Sequence, residues 1–331
     1  MSGVELIRVT SDETGMRLDR WFSSHYPTLG HGALQKLLRT GQVRVDGGRA
    51  KARDRVEEGQ TVRVPPTVRK TSDTPPPAQA GKSLSESDER FIRGLVIYED
   101  DDVIALNKPP GLAVQGGTKT GRHVDGLLDA LRQKKGERPR LVHRLDKDTS
   151  GVLLLARNRA AAAMLGKALQ GRRVVKTYWA LLKGVPSPAQ GEIDQALVKR
   201  GGEGAERMGF AGQDDDDSKR AVTRYEVVEK AGQKYCWAAL WPLTGRTHQL
   251  RVHMAGIGHP VIGDGKYGGE EAHPGGEISP KLHLHAREIE VPLNNLRALK
   301  VTADLPEHMA RTWGLLGFDP DRDTSYFAED T

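Results

Sequence analysis

His143-Arg144-Leu145-Asp146-Lys147-Asp148-Thr149-Ser150-Gly151 runs straight into Val152-Leu153-Leu154-Leu155-Ala156. A charged, turn-forming segment that meets a short, bounded apolar run predicts a loop feeding a buried strand. Asp146 then stands just ahead of a rigid element, where a carboxylate is held in place yet stays reachable. Arg144 lies two residues before it and Lys147 directly after it. From these residues alone, a catalytic loop and a solvated Thr-Ser-Gly turn are both open.

Upstream, Val96-Ile97-Tyr98, the acidic turn Glu99 to Asp102 and Val103-Ile104-Ala105-Leu106 predict a β-hairpin with a solvated tip. Asn107-Lys108-Pro109-Pro110-Gly111-Leu112-Ala113-Val114 follows as a rigid connection. Downstream, the Ala-rich stretch Arg159 to Leu169 predicts a helix, and Lys176 to Gly184 a strand. In that strand Tyr178, Ala180 and Leu182 share one face, with Trp179 and Leu181 on the other. Lys199 to Ser218 is Gly-rich with an acidic end and predicts a mobile surface loop. Ala221 to Val228 and Tyr235 to Trp241 predict an antiparallel pair.

The third dense stretch is Pro242-Leu243-Thr244-Gly245-Arg246-Thr247-His248-Gln249-Leu250-Arg251-Val252-His253-Met254. Gly245 to Met254 suits the start of a helix, with Thr247 and Arg251 on one face at i, i+4. His248, His253, His259, His283 and His285 could suggest a metal site, with His283 and His285 on one strand face. There is no zincin-type His-Glu pairing, and no metal is expected. Gly263-Asp264-Gly265-Lys266-Tyr267-Gly268 imitates a nucleotide-binding glycine pattern, but no strand-to-helix unit surrounds it. Pro306 to Leu316 predicts a helix, and residues 319–331 a frayed tail.

The N-terminal part reads as a separate module over residues 16–66. Leu18, Trp21 and Phe22 fall at helical spacing, and Leu34, Leu37 and Leu38 line a second helix. Val43-Arg44-Val45-Asp46-Gly47-Gly48 predicts a strand closed by an Asp-Gly turn. Arg17, Lys36, Arg39 and Arg44 belong to a basic cluster suited to phosphate. Residues 67–87, with Pro75-Pro76-Pro77 at the centre, predict a flexible Pro/Ser/Thr linker that lets two modules engage one partner at separate places.

The chain has 331 residues and a formal net charge of +6, enough for two domains and consistent with a polyanionic partner. Its lone cysteine, Cys236, excludes a disulfide framework and a Cys-based zinc site, which suits a reducing, cytoplasmic setting. Met1 to Gly15 lacks a basic start followed by an apolar core, and no apolar run approaches bilayer length, so neither secretion nor a membrane is expected.

The nonapeptide ending at Gly151 resembles the signature of the RluA-type RNA pseudouridine synthases. Asn107 to Val114 resembles the first motif of that family, and Lys176 to Gly184 its "KxYxAxxxG" element. Thr244 to Met254 resembles "TGRTHQLRVHM", and Leu282-His283-Leu284-His285-Ala286 the last motif. Gln115-Gly116-Gly117 is most similar to the RluC branch, where His usually replaces Gln115. The N-terminal module, opening on Arg17-Leu18-Asp19-Arg20-Trp21, resembles the S4 RNA-binding domain.

The resemblance implies an α+β catalytic domain over 88–318 around a mixed, largely antiparallel sheet, preceded by the small α/β S4-like domain. It implies that uridine in RNA is converted to pseudouridine without a cofactor: the uracil is detached at its glycosidic nitrogen, rotated and rejoined through carbon. Asp146 would be the essential carboxylate, acting covalently or by deprotonating the ribose. Arg251 would pair with it, Tyr178 would line the pocket and serve as base, and Leu284 would pack in the pocket. The uridine must flip out of its helix. Arg144 would then fill the gap, while Lys147 and Arg246 hold phosphate. The expected substrate is 23S rRNA. The alternatives are tRNA, a non-catalytic S4-type ribosome-assembly protein and, more distantly, a metal-dependent phosphohydrolase.

Overall fold

The computed structural model describes residues 4–26, 29–68, 84–116, 121–134, 136–171, 173–201, 207–212, 215–294, 297–322 and 324. The expected linker (67–87) lies largely outside these residues, as do Gly117, the centre of the 199–218 loop and the last seven residues. The chain divides into two compact units, Met1–Ser83 and Leu84–Thr331.

In the first unit, β1 (Glu5–Arg8), α1 (Leu18–His25), α2 (His31–Arg39), β2 (Arg44–Val45), β3 (Gly48–Arg49) and β4 (Thr61–Val64) form a four-stranded sheet ordered β1-β4-β2-β3 with two helices. Leu18, Trp21 and Phe22 are buried, as their spacing predicts. The Asp46-Gly47 turn has positive φ at both residues, the backbone that a tight hairpin demands. A module beginning at Met16 leaves out β1, yet Glu5–Arg8 pairs along its whole length with β4.

The second unit contains α3 (Glu86–Gly94), β5 (Val96–Glu99), β6 (Val103–Lys108), α4 (Val124–Leu127), β7 (Arg140–Leu141), β8 (Ser150–Ala156) and α5 (Arg159–Gln170). It continues with β9 (Val175–Lys183), β10 (Gln190–Asp194), β11 (Leu197–Arg200), β12 (Arg207–Phe210), β13 (Val222–Ala231) and β14 (Tyr235–Pro242). It ends with α6 (Gln249–Gly256), β15 (Leu284–Asn294), β16 (Arg297–Thr302) and α7 (Glu307–Leu316). Ten strands make one sheet ordered β10-β13-β14-β9-β15-β8-β6-β5, with β16 on β15 and β7 on β8. Every pairing is antiparallel except β15 with β8. The architecture is therefore α+β on a mixed, largely antiparallel sheet.

β8 is buried at all seven positions, the reason it reads as a continuous apolar run. Leu153 and Leu155 pack towards α4, while Val152, Leu154 and Ala156 pack towards α5. At its start Gly151 has φ +108°, and a Cβ there would lie 2.2 Å from the Ala286 carbonyl oxygen. Only glycine lets the two parallel strands approach this closely.

Three local expectations fail. The 199–218 region is not one loose loop, because β11 and β12 pair and Phe210 packs on α6, with its ring 5.8 Å from that of His253. Thr324, inside the expected frayed tail, is held, its buried hydroxyl accepting a bond from Trp179 Nε1 at 3.1 Å. His283 precedes β15 rather than sharing its face. It bonds Lys281 and Thr312, whereas His285 bonds Ser150 and Ala303. Among the described residues, no helix is long and apolar enough to cross a membrane.

Candidate active site

The Asp146 loop is tied down on both sides. β7 pairs with β8 through Leu141↔Leu155, and the chain then leaves the sheet, which would strand the next N–H of β8. His143 replaces the missing ladder, its Nε2 accepting from the Leu154 N–H at 2.8 Å. Burial, with Lys176 nearby, pulls this imidazole down to about 3, so it is neutral and able to accept. On the other side, fully buried Lys108 donates from Nζ to the carbonyls of Pro109, Leu112 and Lys147, at 2.9 to 3.0 Å. Burial pulls its ammonium down to about 8 against the opposing charges of Asp148 and Asp146. Gly111 N–H also donates to Lys147 O. Between these two anchors Leu145 points into the core and Asp146 stays partly open, with its side chain 31% exposed.

The facing wall is the segment between β14 and α6. The predicted helix starts late, at Gln249 instead of Gly245, so Thr247 lies outside it. The Gln249 side chain explains the delay. Its Oε1 accepts from Thr244 Oγ1 and Arg246 N–H, while its Nε2 donates to Val222 O and Thr223 Oγ1. Residues 244–246 are thereby pinned to β13 as a loop, and His248 enters the helix in the left-handed region at φ +54°.

Arg251 sits on α6 and is buried, as the expected partner of Asp146 should be. Its hydrogen bonds go elsewhere: Nε and Nη2 donate to the two oxygens of Asp264, at 2.7 Å each. The turn carrying Asp264 reaches the guanidinium first and satisfies its fork, leaving Asp146 to feel Arg251 through space. Burial alone would lower Arg251, but the Asp264 pair, with Asp146 beyond it, raises it further. The segment Gly263 to Gly268 thus stands behind the site and supports it through Arg251. Asp264 also accepts from the N–H groups of Lys266 and Tyr267, and the Arg251 guanidinium lies 5.1 Å from the Tyr267 ring centre.

These walls enclose a cleft of about 610 Å³. Tyr178 and Leu284 line it from the adjacent strands β9 and β15, with Leu284 opposite Ala180. Burial and then the charge of Asp146 raise the Tyr178 phenol, so it enters any reaction protonated. Arg144, Lys147 and Arg246 are exposed and also line the cleft. Asp146, Tyr178, Arg251 and Leu284, scattered over 139 positions of sequence from 146 to 284, meet in one cavity. In the first unit Arg17, Lys36, Arg39 and Arg44 are all exposed. Arg17 pairs with Asp19, and Arg44 donates to the carbonyls of Gly41 and Gly47.

The sequence reading missed Asp264, Tyr267, His143 and Lys108. A buried lysine beside two prolines carries a weak signal of structural use. Nothing local marks Asp264, since its partner lies thirteen residues away on another element.

A cleft that sets a reachable carboxylate against a buried guanidinium and an aromatic ring, with cations at its rim, defines an enzyme acting on an anionic polymer. The family model for RNA pseudouridylate synthase matches residues 102–256, and the chain belongs to that family, making it an RNA pseudouridine synthase, an isomerase. "Ribosomal large subunit pseudouridine synthase C" of Rickettsia typhi is 35% identical over 89% of this chain and 95% of its own length. The protein of that name from Escherichia coli K12 is 34% identical over 81% of each chain. "RNA pseudouridine synthase 4, mitochondrial" of Arabidopsis thaliana is 32% identical over 96% of this chain and 82% of its own. Among solved structures, "Human RNA Pseudouridylate Synthase Domain Containing 4" matches with TM-score 0.58 and 29% identity, covering 70% of this chain and 97% of that one.

Proposed function

We propose that this enzyme isomerises uridines of large-subunit ribosomal RNA, with Asp146 as the essential carboxylate. The observation that carries the reading is the shared cleft of Asp146, Tyr178 and Arg251, rimmed by Arg144, Lys147 and Arg246. The names of the Rickettsia typhi and Escherichia coli relatives support the choice of ribosomal RNA.

The target uridine flips out of its stack, because a paired base cannot reach a carboxylate at the floor of a cleft. Arg144 takes the vacated place beside the neighbouring bases, its planar guanidinium suited to stacking. Lys147 and Arg246 hold phosphates, which sets register without reading sequence. Tyr178 and Leu284 pack on the uracil. Asp146 assists cleavage of the bond between N1 and C1′, either by adding to the sugar or by taking a ribose proton. The ring turns, C5 bonds to C1′, the C5 proton leaves and N1 ends protonated, so the product is an isomer of the substrate. Tyr178 enters as a phenol, so it accepts the C5 proton only after first giving up its own.

Residues 16–66 act as an S4-like RNA-binding module through Arg17, Lys36, Arg39 and Arg44, joined by the 67–87 linker. The cytoplasm, where bacterial ribosomal RNA is made, is the proposed location. The test is pseudouridine mapping in ribosomal and transfer RNA from cells with and without this protein. Loss of sites in 23S rRNA supports the proposal, and loss confined to tRNA overturns its substrate.

A further inference from the structure

The occupied fork of Arg251 raises a question: which group hydrogen-bonds Asp146? The residue placed for it is His248. Its Nε2 lies 3.9 Å from Asp146 Oδ2, and its ring lines the same cleft. Its backbone is in the left-handed region, which a residue without a special reason avoids and which clusters at functional sites. The residue stands at the N-terminus of α6, where its imidazole lines the cleft.

The other ring nitrogen is also engaged. His248 Nδ1 and Tyr267 Oη are 2.7 Å apart, and the same phenol oxygen accepts from the Met208 N–H at 3.2 Å. With Met208 donating to the oxygen, the single phenolic hydrogen is free to point at His248 Nδ1. That bond selects the neutral tautomer that carries its hydrogen on Nε2, the nitrogen facing Asp146. Burial favours the same neutral ring, with Arg251 and Lys266 reinforcing it against the pull of Asp146 and Asp264.

We propose that His248, locked by Tyr267 as the Nε2–H tautomer, is a positioning residue that hydrogen-bonds Asp146 and orients it for attack on the flipped nucleotide. The inference rests on the reading of Asp146 as the essential carboxylate. Free enzymes often hold such pairs too long, and the bond tightens when substrate fills the cleft. With Oδ2 held by His248, Oδ1 is the oxygen presented to the ribose. Arg251 supplies charge and Asp264 supplies its anchor, while His248 supplies direction.

The experiment measures single-turnover pseudouridine formation on 23S rRNA transcript carrying 5-tritiated uridine, with the Kd for the same RNA measured separately. His248→Asn tolerates the left-handed backbone but is too short to reach Asp146, whereas His248→Gln places an amide N–H near the position of Nε2. The Asn variant is expected to lose about 10- to 100-fold in rate, the worth of a hydrogen bond to a charged group, with its RNA Kd nearly unchanged. The Gln variant recovers most of that loss, and Tyr267→Phe is slowed by a smaller factor through loss of the tautomer lock.

An Asn variant that turns over at the wild-type rate, a Gln variant as slow as the Asn one, or a loss confined to Kd overturns the role. Should circular dichroism show the Asn variant unfolded, Tyr267→Phe decides, and a wild-type rate there overturns the lock. Failure of the underlying reading looks different. Undiminished rate in Asp146→Asn removes the carboxylate itself, and a wild-type enzyme active only on tRNA changes the substrate while the same ratios are read there.

Discussion

Arg251 and Asp264 form a two-bond ion pair at 2.7 Å on each arm, with both side chains almost wholly withdrawn from solvent. The pair sets the electrostatics of the cleft. Asp264 neutralises a cation that would otherwise be unsupported, and Asp146 receives from Arg251 an attractive field without a direct bond.

Breaking the pair leaves a buried charge without its partner. Asp264→Asn is expected to cost about 3 kcal/mol of stability in urea denaturation and to slow turnover, because a loosened guanidinium no longer holds its place. A variant as stable as the parent would show that the pair contributes nothing net.

Asp146→Asn keeps the shape of the side chain and removes its charge. RNA binding is expected to persist, while tritium release from 5-labelled uridine falls to background. Substantial turnover would take Asp146 out of the mechanism.

Lys108 ties the Asn107 to Val114 segment to the Asp146 loop. Lys108→Met fills the same space but takes the ammonium away from three carbonyls, of which only Lys147 O keeps the Gly111 N–H, at a cost of about 2–4 kcal/mol. Because one of them belongs to Lys147, beside Asp146, turnover should fall as well. Thermal melts and single-turnover rates on the same preparation check both effects.

His143, His283 and His285 are held by burial at about 3, 4 and 4, below the ordinary 6.5. Each is neutral when folded and gains a proton more readily when unfolded. Their contribution is therefore complete above pH 6.5 and is lost as pH falls towards the folded values, at up to about 1.4 kcal/mol per pH unit for each ring. Between pH 6.5 and 5 most carboxylates are still charged, so the slope there belongs to the histidines. A flat urea midpoint over that window would contradict the assignment.

Lys36 and Arg39 stand exposed at the end of α2. If the first unit holds RNA, the double change Lys36→Gln with Arg39→Gln weakens binding across sequences. It also lowers the slope of log Kd against log salt by about one to two units. An unchanged slope over a salt series would make the basic module incidental.

Much of this protein is legible without coordinates because period and turn chemistry act locally. The continuous apolar run of β8, the alternation of Tyr178 to Leu182 across two faces, and the Asp46-Gly47 turn each follow from neighbours a few residues apart. The same holds for α5 and for the hairpin around Asp100. The motif residues Asp146, Tyr178, Arg251 and Leu284 can be named from the chain, and so can the family they resemble.

What local pattern could not decide is who pairs with whom. Gln249 delays α6 by bonding to β13, and Asp264 takes the fork of Arg251 from across a turn. Lys108 reaches thirty-nine residues forward to a loop carbonyl, and Tyr267 sets the proton on His248. These are hydrogen bonds and charges enclosed away from water, where an unsatisfied group is costly and the nearest partner in space wins. Sequence proximity sets the elements; the packed interior assigns the bonds between them.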